Sequence, residues 1–236
     1  MTLRVAMWSG PRNISTALMR AWKNRPDTVV VDEPFYAAYL HATGIDHPGR
    51  ADVIASQPTD PAEVVRALLS DESAPVQYSK QMTHHVLDDT PLDWLGSVRN
   101  VLLVRDPREV VASYVRSREA CEPEDIGLLQ QVRLLDALPE DTPVIDAGDF
   151  LRDPSTHLRW LCSWLGIEFT DRMLSWPAGP RDSDGVWAPH WYDAVNRSTG
   201  FEPWRPRETA LSDHDTAVAE ACRPAYDLLR ARRVVL

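Results

Sequence analysis

Arg4-Val-Ala-Met-Trp-Ser9-Gly10-Pro11-Arg12-Asn13-Ile14-Ser15-Thr16 is an apolar run that stops at a glycine and passes into a helix-forming stretch, Ser15–Lys23. The pattern is that of a strand delivering a loop to a helix N-terminus. In such a loop, Gly10 lets backbone approach a ligand closely. The first helical amides point the same way, and Ser15 and Thr16 add hydroxyls. Arg12 adds positive charge, and no acidic residue occurs between Met1 and Lys23. Gly10–Thr16 is therefore expected to be a phosphate-binding loop. It is not the nucleotide triphosphatase loop, which needs Gly-Lys before the Ser/Thr. Asn13 and Ile14 fill that space here.

Further strands are expected at Thr28–Val31, Val76–Lys80, Asn100–Val104 and Pro143–Asp146. Val29-Val30-Val31 and Val101-Leu-Leu-Val104 are continuous apolar runs, as in strands buried on both faces of a parallel sheet. Helices are expected at Pro61–Ser70, Pro107–Arg118 and Pro154–Leu165, each preceded by an aspartate cap (Asp60, Asp106, Asp153) with proline in the first helical position. A last helix starts at Ser212, and Pro224 is expected to kink it. Alternating strands and helices give an α/β fold, a doubly wound parallel sheet flanked by helices in a three-layer sandwich.

The 236 residues suit one domain. Two stretches break the rhythm. Tyr36–Pro58 reads as loop, and Trp176–Pro206 is rich in Pro and Gly yet holds Trp176, Trp187, Trp191 and Trp204. Such a connection is expected to be a lid or an acceptor-side wall, with an arm packed on the core as the plainer alternative. The net charge of -10 argues against a nucleic-acid partner, though a local pocket can still be positive. Cys121, Cys162 and Cys222 have no zinc or redox spacing and are expected to be core thiols. With no signal peptide and no apolar run long enough to span a membrane, a cytoplasmic protein is expected. Oligomeric state stays open, a homodimer included.

Arg105 ends the Val101–Val104 run, at the sheet edge where open α/β sheets bind ligands. Ser113 follows about two helical turns later. A guanidinium and a hydroxyl suit one phosphate. The plainer alternative pairs Arg105 with Asp106 or Glu109.

Together these segments resemble the sulfotransferase family that uses 3′-phosphoadenosine 5′-phosphosulfate. Ser9-Gly-Pro-Arg-Asn-Ile-Ser-Thr16 looks like the family's 5′-phosphosulfate loop, and Arg105-Asp-Pro-Arg-Glu-Val-Val-Ala-Ser113 like its 3′-phosphate motif. Val144-Ile-Asp-Ala-Gly-Asp149, running into Trp160–Ile167, looks like the strand, turn and helix that follow. The resemblance implies that Arg12, Asn13, Ile14, Ser15 and Thr16 cradle the 5′-phosphosulfate and that Arg105 and Ser113 hold the 3′-phosphate. It also implies no metal and a hydroxyl or amine of a small-molecule acceptor. The family's C-terminal Arg-Lys-Gly loop is absent, and Asn196-Arg197-Ser-Thr-Gly200 is the nearest candidate.

Sulfuryl transfer to a hydroxyl needs a base. Glu33 ends the second strand, and Lys80-Gln-Met-Thr-His84-His85 ends the third. Glu33 is slightly favoured, then His84, then His85; Lys80 either helps to bind the transferred group or caps its strand. A metal at His84-His85 with Asp88-Asp89 is disfavoured, because adjacent residues on a strand face opposite ways. Phe35, Tyr36, Tyr39 and the later tryptophans suit an apolar or aromatic acceptor. Two rivals remain: an ATP-dependent small-molecule kinase, opposed by Ile14 in place of lysine, and an inactive nucleotide-binding sensor or scaffold.

Overall fold

A computed structural model describes residues 2–70, 72–116, 120–206 and 210–236. In chain order the elements are β1 (Leu3–Ser9), α1 (Ser15–Lys23), β2 (Thr28–Asp32), α2 (Tyr36–Thr43), α3 (Arg50–Ser56), α4 (Pro61–Leu69), β3 (Val76–Met82), β4 (Arg99–Val104) and α5 (Pro107–Tyr114). There follow α6 (Leu128–Leu135), β5 (Val144–Asp146), α7 (Ala147–Arg152), α8 (Pro154–Leu165), α9 (Ala188–Trp191), α10 (Asp193–Arg197) and α11 (Asp213–Ala231). The five strands are parallel in the order β2-β3-β1-β4-β5.

Strand periodicity divides the apolar residues between two cores. Val5, Met7, Val101 and Leu103 face one way, against Leu18 and Trp22 of α1 and Leu158 and Leu161 of α8. Ala6, Trp8, Leu102 and Val104 face the other way, against Val110 of α5, Leu134 of α6 and Leu229 of α11. The loops leaving β1 and β4 thus run to helices on opposite faces. The crevice between them lies at the carboxyl edge, where the strand order reverses.

The expected caps form. Asp60, Asp106, Asp153 and Ser212 accept from the amides of Ala62, Arg108, Thr156 and Asp215. All three cysteines are buried and free. Ser117 and Arg118, expected to end the helix after Asp106, lie outside the described residues.

One expectation is corrected. The Tyr36–Pro58 stretch contains two helices. Residues 36–40 of α2 are all buried, so this helix carries no polar face to give it a readable period. The last helix is present as α11 and continues through Pro224, with Val218, Cys222 and Leu229 buried in the core. The Trp176–Pro206 segment packs as an arm on the core, and its Trp191, Phe201 and Trp204 also line a cleft at the carboxyl edge of the sheet. Trp176, Trp187 and Tyr192 are buried, and Arg20 of α1 forms a buried bidentate ion pair with Asp184. Among the described residues, no helix is long and apolar enough to cross a membrane.

Candidate functional site

A cleft of about 510 Å³ opens at the carboxyl edge of the sheet, within the range of small-molecule sites. One end is built by the loop after β1. Asn13 Nδ2 donates to the Leu103 carbonyl at 2.7 Å, and Arg105 Nη1 donates to the Arg12 carbonyl at 2.8 Å, so β4 holds the loop's shape. Arg12 and Ile14 have φ of 57° and 50°. These left-handed steps are uncommon outside glycine, and such backbone cradles hold anions. Helix α1 has no acidic residue in its first turn and no side-chain cap. Its leading amides keep their positive end for an anion.

Gly10 serves a different purpose from the one expected. A Cβ there would stand 1.9 Å from the Ile126 carbonyl oxygen, and a Cβ on Gly127 would stand 2.8 Å from the Gly10 Cα. The two glycines lie back to back. The close approach is to the chain's own 126–127 backbone, not to a ligand.

The two anchors meet. Arg12 Nε donates to Ser113 Oγ at 3.0 Å, and both residues line the cleft with Ile14, Ser15, Thr16 and Arg105. Arg105 does not stand free. Glu109 takes its Nε at 2.9 Å and its Nη2 at 2.8 Å, as the plainer sequence reading allowed. Asp106 turns away, to Arg223 of α11. Burial, then Arg116 and Arg105, pulls the Arg12 guanidinium below its ordinary value. Like charges gathered this way favour an anionic ligand between them.

Arg197 is exposed at the end of α10 and does not line the cleft. Ala194 and Val195 of that helix do. Arg197 lies three residues past Ala194, on the same side of this short helix, but its side chain is exposed outside the lining. Arg205 and Arg116 line the cleft instead. The signal for Arg116 was its position one helical turn past Ser113.

The other end of the cleft holds the base candidates. Glu33 follows β2 with φ 41°, a strained setting for a side-chain-bearing residue. Its amide donates to the Lys80 carbonyl, and Gln57 Nε2 donates to the Glu33 carbonyl. Lys80 is buried and donates to Asp32 Oδ1 at 3.1 Å, to Glu33 Oε1 and to Tyr192 Oη at 2.7 Å. An ammonium has three protons, so these partners saturate it. Lys80 also lines the cleft, so its place there agrees with either expected role, binding the transferred group or capping the strand end. Burial, then the adjacent Asp32, raises the Glu33 carboxyl despite Lys80. For Lys80 burial pulls downward, but Asp32 and Glu33 overcome it and its value rises.

His84 and His85 are not on a strand. They occupy a 3₁₀ turn, Thr83–His85, so their rings meet at 4.4 Å rather than diverge. The strand-based reason for rejecting a metal there therefore fails, but Asp88 is paired with Arg133. His85 stacks between Tyr36 and Tyr39 at 4.5 and 4.9 Å. Burial, then His84 and Lys80, pushes its value well below the ordinary one, so it is a neutral ring at pH 7. His84 lines the cleft with Tyr36, His47 and Trp191.

The sequence model of the sulfotransferase domain family matches residues 3–233. Two Arabidopsis thaliana proteins, branched-chain-amino-acid aminotransferase-like proteins 1 and 2, are similar. They are 38% identical over 230 residues and 34% identical over 229. These matches take in 95% and 94% of this chain but 41% and 40% of theirs, so the chain spans about two-fifths of those relatives' length. Among solved structures, the sulfotransferase domain from the Synechococcus PCC 7002 olefin synthase has a TM-score of 0.57 and 17% identity, covering 93% of this chain and 94% of that one. A sulfotransferase from Alicyclobacillus acidocaldarius has a TM-score of 0.56 and 14% identity, covering 99% of this chain and 98% of that one. Both likenesses are of fold.

Proposed function

This chain belongs to the sulfotransferase family, and we propose that it moves a sulfuryl group from 3′-phosphoadenosine 5′-phosphosulfate to a hydroxyl or amine of a small-molecule acceptor. The observation that carries the reading is one cleft with clustered guanidiniums at one end and a buried, strained carboxylate at the other. The residues present suit the donor: Arg12, with Arg105 and Arg116 gathered beside it, faces a single space of nucleotide size. When bound, the donor supplies the activated sulfuryl group and a phosphate leaving group.

The protein's own groups do the rest. The amides of residues 13–16, with Ser15 and Thr16, hold the 5′ end. Arg12 stabilises charge that grows on the leaving oxygen. Arg105 and Ser113, joined by Arg116, hold the 3′-phosphate. Glu33 Oε2 takes the acceptor's proton, while Lys80 holds Oε1. A buried carboxyl with a raised value is a better base near neutral pH than an ordinary one. Tyr36, His47, His84 and Trp191 make an aromatic wall beside it, which suits an acceptor with an apolar or aromatic body.

The test is a thermal-shift series without metal. Adenosine 3′,5′-bisphosphate is expected to stabilise the protein, and ATP with magnesium is not. Arg105→Ala is expected to weaken bisphosphate binding about 10- to 150-fold, the equivalent of roughly 1.5–3 kcal/mol for a charged hydrogen-bond partner. A response to ATP with magnesium alone would instead favour a kinase. Sulfated product from a panel of phenols, alcohols and amines, lost in Glu33→Gln, separates an enzyme from a sensor.

A further inference from the structure

Three ionisable side chains share the acceptor end of the cleft: Lys80 from β3 and the neighbours Asp32 and Glu33 from the end of β2. Two carboxylates face one ammonium. Around them stand Tyr192, at the end of α9, His85, whose Nδ1 lies 3.9 Å from Glu33 Oε2, and the buried Tyr78 of β3, a neutral phenol whose value burial, then Asp32, pushes far up. Tyr192 is a neutral phenol, because burial, then Asp32 and Glu33, pushes its value far up. His85 is neutral as well. The cluster therefore carries one carboxylate more than it has cations, and one of the two acids must be the easier to protonate.

Hydrogen bonding distinguishes them. The Tyr192 hydroxyl lies 2.6 Å from Asp32 Oδ2 and 2.8 Å from Oδ1, the Gly185 amide donates to Oδ2 at 3.2 Å, and Lys80 donates to Oδ1. Glu33 Oε1 has Lys80, and the same phenol stands 3.5 Å away. A carboxylate that accepts several donors holds its charge. We propose that Asp32 is the fixed ion-pair partner of Lys80, held there by Tyr192 and Gly185, and that this leaves Glu33 as the acid that gives and takes the proton. Asp32 and Tyr192 are thus positioning residues, acting through Glu33.

The arm over 184–192 delivers both extra donors, and it is fastened to α1 by the Arg20–Asp184 pair. Trp187 Nε1 adds a bond to the Tyr192 hydroxyl at 3.2 Å. The helix that presents the anion loop therefore also holds the segment that tunes the base. The inference rests on Glu33 being the base, but its test does not need an acceptor.

The experiment is a 13C NMR pH titration of the full chain with labelled glutamate carboxyls. The Glu33 signal is identified by its loss in Glu33→Gln. Asp32→Asn removes the neighbouring negative charge and gives Lys80 to Glu33 alone, so the Glu33 midpoint is expected to fall by roughly one pH unit or more. Tyr192→Phe removes a donor from Asp32 and leaves the excess negative charge less well solvated, so the midpoint is expected to rise. Shifts of opposite sign are not what general loosening produces. If Asp32→Asn does not fold, the nearly isosteric Tyr192→Phe decides alone. A Glu33 midpoint that stays fixed, or moves in the opposite sense, overturns the division of labour. Retained sulfuryl transfer in Glu33→Gln would overturn the base assignment, and that is a separate result.

Discussion

Removing the positive partner of the Arg20–Asp184 pair is expected to be among the costliest single changes outside the apolar core. The two side chains are 1% and 4% exposed. Arg20 Nη2 lies 2.7 Å from Asp184 Oδ2 and 3.1 Å from Asn196 Oδ1. Arg20→Met keeps much of the volume but leaves a buried carboxylate whose remaining donor is the Arg181 amide at 2.8 Å. Breaking one side of a buried pair costs about 3–5 kcal/mol. That is a large share of the roughly 5–15 kcal/mol that holds a domain together. For a chain of this size it corresponds to a fall in Tm of roughly 6–20 °C. Urea unfolding followed by the fluorescence of the nine tryptophans measures it directly. The double variant Arg20→Met/Asp184→Leu removes both charges and is expected to recover at least about 2 kcal/mol of the sum of the single losses. A single-variant loss under about 1 kcal/mol, or strict additivity in the double variant, would refute the reasoning.

Gly10→Ala places a methyl against the Ile126 carbonyl and is expected to destabilise by roughly 1–3 kcal/mol or more, read as a lowered urea midpoint. Glu33→Gln is expected to raise Tm near neutral pH: the folded carboxyl binds its proton more tightly than the unfolded one, so its ionisation costs stability as pH rises through the folded value. The gain should vanish below the ordinary glutamate range, and a Tm difference that does not change with pH would contradict the raised value. Pro224→Ala restores an amide inside α11 and is expected to stabilise by up to about 3 kcal/mol, measured by denaturant unfolding; a loss would mean that the ring packs usefully where it is.

The sheet could be read directly because several of its strands, Val29–Val31, Val101–Val104 and Val144–Ile145, are continuous apolar runs. Val101–Val104 leaves no other assignment, and all five expected strands are present. Helices with aspartate caps and proline at the first position were equally plain. Helix α2 was not, because burial on every side removes the polar face that periodicity needs. At the site, the two anion anchors were legible as local motifs, since each is a strand end followed by a helix. The partners of Glu33 were not. Tyr192, and the Gly185 amide that binds the neighbouring Asp32, come from an arm remote in sequence, and only the folded chain brings a phenol beside these carboxylates. The pairing of Arg105 with Glu109 follows from four-residue helical spacing and was available in advance as an alternative. Arg197 was chosen on sequence similarity to a missing loop, and similarity of letters carries no information about whether a side chain reaches the cleft.

The contact of Gly10 with Gly127 also bears on the order in which the molecule is made. Thr83 Oγ1 bridges the same place, lying 3.2 Å from the Ser9 carbonyl oxygen and 2.9 Å from that of Gly127. The anion loop is synthesised before its backstop, which follows much later in the sequence. A nascent chain halted before α6 would hold the sequence of the loop without the surface that sets its curvature. Anion affinity should therefore emerge abruptly with chain length, once the segment through Leu135 has left the ribosome, and not gradually as the first strand and helix form.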